Sequence, residues 1–207
     1  MSTPQDPLPP LTPLPAVALI GDSIRIGYAP VVAELLAGEA RILSQEPNGG
    51  DSGRVLEHLD AWAIADRPAV VHFNCGLHDL KRSRAGDVYQ VPLDRYEANL
   101  RRIVARLRGE TDARLVFAST TPILDERHAR RGGSTPIDFN RFEADVRRYN
   151  EVALAVMAEA GVPVNDLHRV VAAAGLEATM REDGTHYTPE GNALLARAVA
   201  DYLRPLL

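Results

Sequence analysis

The chain has 207 residues, 45% of them hydrophobic and 25% charged, with a net charge of −5, which suits one globular domain with a substantial core. Lys and Arg are interspersed with Asp and Glu, which excludes a nucleic-acid footprint or a polybasic membrane anchor; the single cysteine, Cys75, excludes an intramolecular disulfide. A reducing, cytoplasmic compartment is expected, because no stretch has the length of a membrane span or the flanks of a secretion signal.

Residues 1–15 are rich in proline and lack apolar periodicity, so they read as an irregular arm, with residues 16–207 as one domain. Apolar runs of strand length follow at 16–21 (AVALIG), 40–45 (ARILSQ), 69–75 (AVVHFNC), 114–119 (RLVFAS) and 162–167 (VPVNDL). The third and fourth are nearly continuous, as strands buried on both faces are. Between the runs lie helical patterns. In "PLDRYEANLRRIVARLRGE" the residues Leu93, Tyr96, Leu100, Ile103, Val104 and Leu107 recur at three and four, forming one apolar stripe. A second helix spans about Phe139 to Ala160, stopped by Gly161, and Thr188-Pro189 opens a last one running to about Leu203. The alternation predicts an α/β fold of three layers, α/β/α: a flavodoxin-like, five-stranded parallel sheet with helices on both faces and right-handed crossovers.

Such sheets bind ligands outside the carboxyl ends of their strands. At those ends stand Ser23, residues 48–53, Gly76 to Asp79, Thr120-Thr121-Pro122 and, after the fifth run, "DGTHYTPEG". Ser23, in "VALIGDSIRIGY", has two readings: a helix N-cap, or a nucleophile. Asp183 and His186 weigh toward the second. Their three-residue offset, with Gly184 between, lets the carboxylate curl onto the imidazole Nδ1 and leaves Nε2 for the serine. Asp22 reads as an Asx-type bond to nearby backbone.

The pairing of Gly21-Asp22-Ser23 near the start with Asp183-x-x-His186 before the last helix resembles the SGNH (GDSL-type) hydrolase superfamily, over about residues 16 to 205. The resemblance implies a serine esterase in which Ser23 attacks, His186 is the general base and then acid, and Asp183 orients it. It also implies an oxyanion hole made from the backbone N–H groups of Ser23 and of a glycine after the second strand. In "EPNGGDSGRVLEHL" that glycine is Gly50, or Gly49 if the loop is shifted by one. The superfamily's Gly-x-Asn-Asp block is here Gly76-Leu77-His78-Asp79, with histidine at the asparagine position. His78 is expected to supply the third donor, Asn74 being the alternative, and Asp79 to brace the loop. A neutral histidine can donate from one ring nitrogen, provided a partner sets its tautomer, and a protonated one donates from both and adds charge, a pH dependence that asparagine lacks.

The expected substrate is a small-molecule ester with a small acyl group, an acetyl ester of a carbohydrate or similar polar alcohol. Aromatic residues are only 5%, and no long apolar segment stands apart to form a lipid-binding lid. Longer fatty-acyl esters or thioesters, and a non-catalytic flavodoxin-like binding domain, are the alternatives. No cofactor, metal, nucleic-acid or membrane partner is expected, since His58, His72, His128 and His168 lack ligand spacing. His72 reads as a core residue and Cys75 as a buried, inert thiol. Arg25, Tyr28 and Tyr187 flank the motifs and read equally as pocket or packing. The charged, glycine-rich "LDERHARRGGSTPID" (124–138) reads as a loop or lid beside the site.

Overall fold

The computed structural model describes residues 13–131 and 138–207; residues 1–12 of the proline-rich arm and 132–137 of the expected loop lie outside them. The chain opens with strand β1 (Ala16–Ile20), helix α1 (Ser23–Leu35), β2 (Arg41–Ser44) and α2 (Ser52–Leu59), which runs on into a π-helical turn, Asp60–Ile64. Next come β3 (Val70–Phe73), β4 (Arg82–Ser83), α3 (Leu93–Glu110), β5 (Arg114–Ala118) and α4 (Asp125–Arg131). The rest is β6 (Phe139–Asn140), α5 (Glu143–Glu159), β7 (Val164–Asn165), α6 (Leu167–Ala174), α7 (Leu176–Thr179) and α8 (Pro189–Leu203).

Five strands form one parallel sheet in the order β2-β1-β3-β5-β7. This is the flavodoxin-like order, in which the chain adds strands to one side of β1 and then to the other. Helix α1 packs on α8, which also meets α6, while α2 packs on α3 and α3 on α5. Helices on both faces explain why the central strands are apolar without alternation: Val17, Leu19, Ile20, Val70, Val71, Phe73, Val116 and Phe117 are all fully buried. Phe73 and Phe117 meet edge to face at 5.4 Å between centroids. His72, also fully buried in β3, lies 3.3 Å from the Asn165 amide nitrogen, and burial holds its pKa down to about 4. Cys75 is buried too, and burial pushes its thiol pKa up.

The structure departs from the sequence reading in two places. The segment from residue 124, expected as a loop, begins with α4, whose acidic residues Asp125 and Glu126 occupy the first turn and whose basic residues occupy the last, matching the helix dipole. Its His128 is buried, so α4 packs into the molecule. The helix expected from Phe139 begins instead at Glu143, because Phe139 and Asn140 pair antiparallel with Ser83 and Arg82. This two-stranded ribbon of β4 and β6 sits beside the loop that follows β3. Neither partner is long enough to carry a periodic signal.

Candidate active site

Between β1 and α1 the cap position is taken by Asp22, whose Oδ1 accepts the Ile24 N–H at 2.9 Å. Ser23 is therefore the first residue of the helix proper, and its hydroxyl is not needed as a cap. Its Oγ lies 2.9 Å from His186 Nε2, in a half-buried position. Arg25 holds the neighbouring loop from below: Nη1 donates to Ser44 Oγ at 2.6 Å, and Nη2 to the Gly21 and Pro47 carbonyls at 3.2 and 3.1 Å. Tyr28 is buried, and buried Tyr187 donates its hydroxyl to the Pro122 carbonyl at 3.2 Å. All three residues with two readings are buried, and each also lines a cavity: Arg25 and Tyr28 one beside Asp22 and Asn74, Tyr187 the one beside Ser23.

The loop carrying His186 is folded onto its own carboxylate. Asp183 Oδ1 accepts the backbone N–H groups of Thr185 and His186 at 2.9 and 2.8 Å, and Oδ2 lies 2.7 Å from His186 Nδ1. Burial works to raise the Asp183 pKa, but these hydrogen bonds outweigh it and hold the carboxyl well below the usual carboxylate range. An ionised carboxylate only accepts, so the His186 ring proton sits on Nδ1 and the Nε2 lone pair faces the serine hydroxyl. Helix α4 buttresses the loop: the Leu124 N–H donates to the Gly184 carbonyl at 2.9 Å, and His128 Nδ1 lies 3.1 Å from Thr185 Oγ1. Gly184 has φ +65°, and a Cβ there would lie 2.5 Å from both the His128 nitrogen and the Leu124 oxygen, so only glycine permits this approach. A base at 2.9 Å from a hydroxyl, itself oriented by a carboxylate, can take the hydroxyl proton as the oxygen attacks.

The candidate oxyanion donors are in different states. The Ser23 N–H meets no acceptor among the described residues. The Gly49 N–H is spent on the Gly21 carbonyl at 2.9 Å, an approach so close that a Cβ on Gly49 would lie 2.6 Å from that oxygen. The Gly50 N–H donates to Asn48 Oδ1 at 2.9 Å, a side chain that can rotate away. The Asn74 amide donates to the Ala118 carbonyl at 2.7 Å, tying the end of β3 to the end of β5. His78 is half-buried on the loop after β3, with Nδ1 3.0 Å from Lys81 Nζ. Burial first, then the charges of Lys81 and Arg141, push its pKa down to about 4 against the pull of Asp22 and Asp51.

Asp79 braces this loop. Its buried carboxylate accepts the Ser52 N–H at 2.9 Å and the Ser52 hydroxyl, and Asn99 donates to that hydroxyl oxygen at 2.9 Å. Burial raises the Asp79 pKa to about 7, against the pull of these bonds. Arg141 adds a second tie, from Nε to the Leu77 carbonyl at 2.8 Å. Ser23 and His186 also line a cavity of about 150 Å³ with Ile24, Ile26, Gly27, Arg181, Tyr187 and Asn192. Lys81, Arg141 and Arg181 were not among the candidate residues of the sequence, and Asn48 stood there only as part of the loop 48–53. Lys81, three residues beyond His78, and Arg181, two before Asp183, stood close enough to a motif to have been found.

The sequence matches the profile of the GDSL-like lipase/acylhydrolase family over residues 19–194. The chain belongs to that family. It is an ester hydrolase with the SGNH hydrolase fold. It is similar to the isoamyl acetate-hydrolyzing esterase 1 homolog of Bos taurus, 26% identical over 93% of this chain and 81% of the relative. Among solved structures it is similar to a lipase/acylhydrolase from Enterococcus faecalis, with TM-score 0.76, 19% identity and coverage of 93% and 96% of the two chains. An acetyl xylan esterase superposes with TM-score 0.71, 16% identity and coverage of 91% and 99%. Among the described residues, no helix of this GDSL-family chain is long and apolar enough to cross a membrane.

Proposed function

We propose that this chain is a serine esterase releasing small acyl groups, acetyl foremost, from a carbohydrate or similar polar alcohol, with residues 16–207 as one catalytic domain. The observation that carries the reading is the unbroken hydrogen-bonded chain from Ser23 Oγ through His186 to Asp183. Ser23 attacks the ester carbonyl as His186 Nε2 takes its proton. The negative charge on the carbonyl oxygen falls to the N–H groups of Ser23 and Gly50 and to His78, with Asn48 turning aside from Gly50. His186 then returns the proton to the departing alcohol, leaving an acyl-enzyme. Water, deprotonated by the same nitrogen, attacks the acyl-enzyme, and the serine hydroxyl is regenerated as the acid leaves.

Two features favour a small acyl group. The cavity shared by Ser23 and His186 is about 150 Å³, below the roughly 300–1,000 Å³ of sites for drug-sized ligands. It is lined by Arg181 and Asn192 beside Ile24, Ile26 and Tyr187. The relatives named above as an isoamyl acetate-hydrolyzing esterase homolog and an acetyl xylan esterase both carry acetyl esters in their names. For a cytoplasmic site of action the support is the lone, buried Cys75.

The test is hydrolysis of p-nitrophenyl acetate, butyrate and octanoate by the wild type and by Ser23→Ala. Turnover should fall from acetate to octanoate, and kcat should drop by about 10⁴-fold or more in the variant. Equal rates for the two proteins on all three esters would remove Ser23 as nucleophile. Faster turnover of octanoate than acetate would replace the small-acyl reading with a lipase-like one.

A further inference from the structure

An asparagine amide carries its N–H groups whatever surrounds it. A neutral imidazole carries one, on either nitrogen, and only the right choice makes it a donor at a given place. The substitution of His78 for the expected asparagine therefore raises a question that the asparagine never poses: what decides where the ring proton sits? The structure holds a candidate. Lys81 Nζ lies 3.0 Å from His78 Nδ1. An ammonium group has protons to give and no lone pair to receive one, so Nδ1 must accept, and the ring proton is confined to Nε2. The other tautomer would set two donors against each other at hydrogen-bond distance.

Lys81 is held for this contact. Its Nζ sits 4.8 Å from the centroid of the Phe139 ring, which the pairing of β6 with β4 brings alongside. Its carbonyl accepts the Gln90 N–H at 2.7 Å, and its own N–H reaches the His78 carbonyl at 3.3 Å. Among the described residues no carboxylate forms an ion pair with Lys81; the charges of Asp22, Asp51 and Asp138 attract its ammonium from farther off and that of Arg141 repels it, while the contact at hydrogen-bond distance is the imidazole. The groups whose charges act on His78 are Lys81 and Arg141 on one side and Asp22 and Asp51 on the other. Burial, Lys81 and Arg141 outweigh the two aspartates and keep the ring neutral at ordinary pH, the state in which the tautomer matters.

We propose that Lys81 is a positioning residue that locks His78 in its Nε2–H tautomer, so that Nε2 donates to the oxyanion in place of an asparagine amide. The proposal rests on the reading of His78 as the third oxyanion donor. Lys81 also polarises the ring by donating to Nδ1, which strengthens the Nε2–H donor.

The test combines two readouts on the intact enzyme. The first is the tautomer of His78 from its imidazole nitrogen shifts by NMR, the His78 signals being identified by their loss in His78→Asn. Wild type and Lys81→Arg should show Nε2–H alone, and Lys81→Met a mixture. The second is kinetic. Lys81→Met should lower kcat by about tenfold, less than the ~10²–10³ expected for deleting a donor outright, with KM little changed and Lys81→Arg recovering most of it. In a His78→Asn background, where the amide brings its own proton, Lys81→Met should change kcat less than about twofold. Removing the Lys81 charge should also raise the His78 pKa and add an ionisation to the acid limb of the kcat profile. An unchanged His78 tautomer in Lys81→Met, or an equal loss of kcat in the His78→Asn background, would overturn the proposal. An unchanged kcat in His78→Ala with a normal loss in Ser23→Ala would instead overturn the donor reading beneath it, while leaving the esterase intact.

Discussion

Two histidines stand at the carboxyl edge of the sheet, and their partners prepare them for opposite work. His186 Nδ1 faces the Asp183 carboxylate, which can only accept, so its proton is drawn to Nδ1 and Nε2 is left as a base. His78 Nδ1 faces the Lys81 ammonium, which can only donate, so its proton is driven to Nε2 and that nitrogen becomes a donor. The same ring is made base or acid-like donor by the sign of one neighbour. The two regions also differ in readiness. The His186 loop has its polar groups joined in the chain that the proposed reaction uses. Among the candidate oxyanion donors the Gly50 N–H is occupied by Asn48 and the Asn74 amide by a backbone carbonyl, so the proposed mechanism requires an arriving substrate to open part of the hole.

The comparison breaks most sharply at Asp183. In Asp183→Asn the single carbonyl oxygen is claimed by the Thr185 and His186 N–H groups, because both already bond one carboxylate oxygen. The amide NH₂ then faces His186 Nδ1 and forces the ring proton to Nε2, the state in which His78 stands and in which His186 cannot take the serine proton. A loss in kcat of about 10³–10⁴ is expected, with the fold kept, as measured by steady-state kinetics beside circular dichroism. A loss under tenfold would mean that the tautomer of His186 does not depend on Asp183.

A second prediction concerns stability. His72, His78 and His128 are each held down to about 4 by burial first, against an ordinary value near 6.5. Between those values the unfolded chain binds protons that the native state refuses, so stability falls as pH drops through the window. Asp79 works the other way, since its pKa is raised to about 7 by burial and the native state holds its proton more tightly than the unfolded chain does. It offsets one of the three histidines. Urea midpoints should therefore decline from pH 6.5 to 4, and Asp79→Asn should steepen the decline. A flat profile would contradict the burial of these groups.

The smallest effect sharpens the oxyanion side. Asn48→Ala removes the acceptor that competes for the Gly50 N–H, and kcat should rise by about threefold, the scale of one modest hydrogen bond. A fall in kcat, measured on p-nitrophenyl acetate, would mean that Asn48 is needed to hold the loop in shape.

Much of this molecule is written locally. Continuous apolar runs mark β1, β3 and β5 because strands covered on both faces need no polar side, and Thr188-Pro189 starts α8 where a cap and a fixed φ belong. The candidate residues Ser23, Asp183 and His186 were legible as well, since the carboxylate and imidazole lie on one short loop and the serine follows directly on a strand. The ribbon of β4 and β6 was not: two-residue strands carry no period, and their pairing joins residues far apart in the chain. Helix α4 hid in a charged segment because its reason to fold is the Gly184 loop it supports, which the chain reaches more than fifty residues later. What the sequence by itself determined is thus the layered α/β/α architecture and the residues of the candidate acid–base chain. Only the tertiary structure decided which N–H groups are free, which are engaged, and where each histidine keeps its proton, because these depend on the single atom that packing sets opposite each nitrogen.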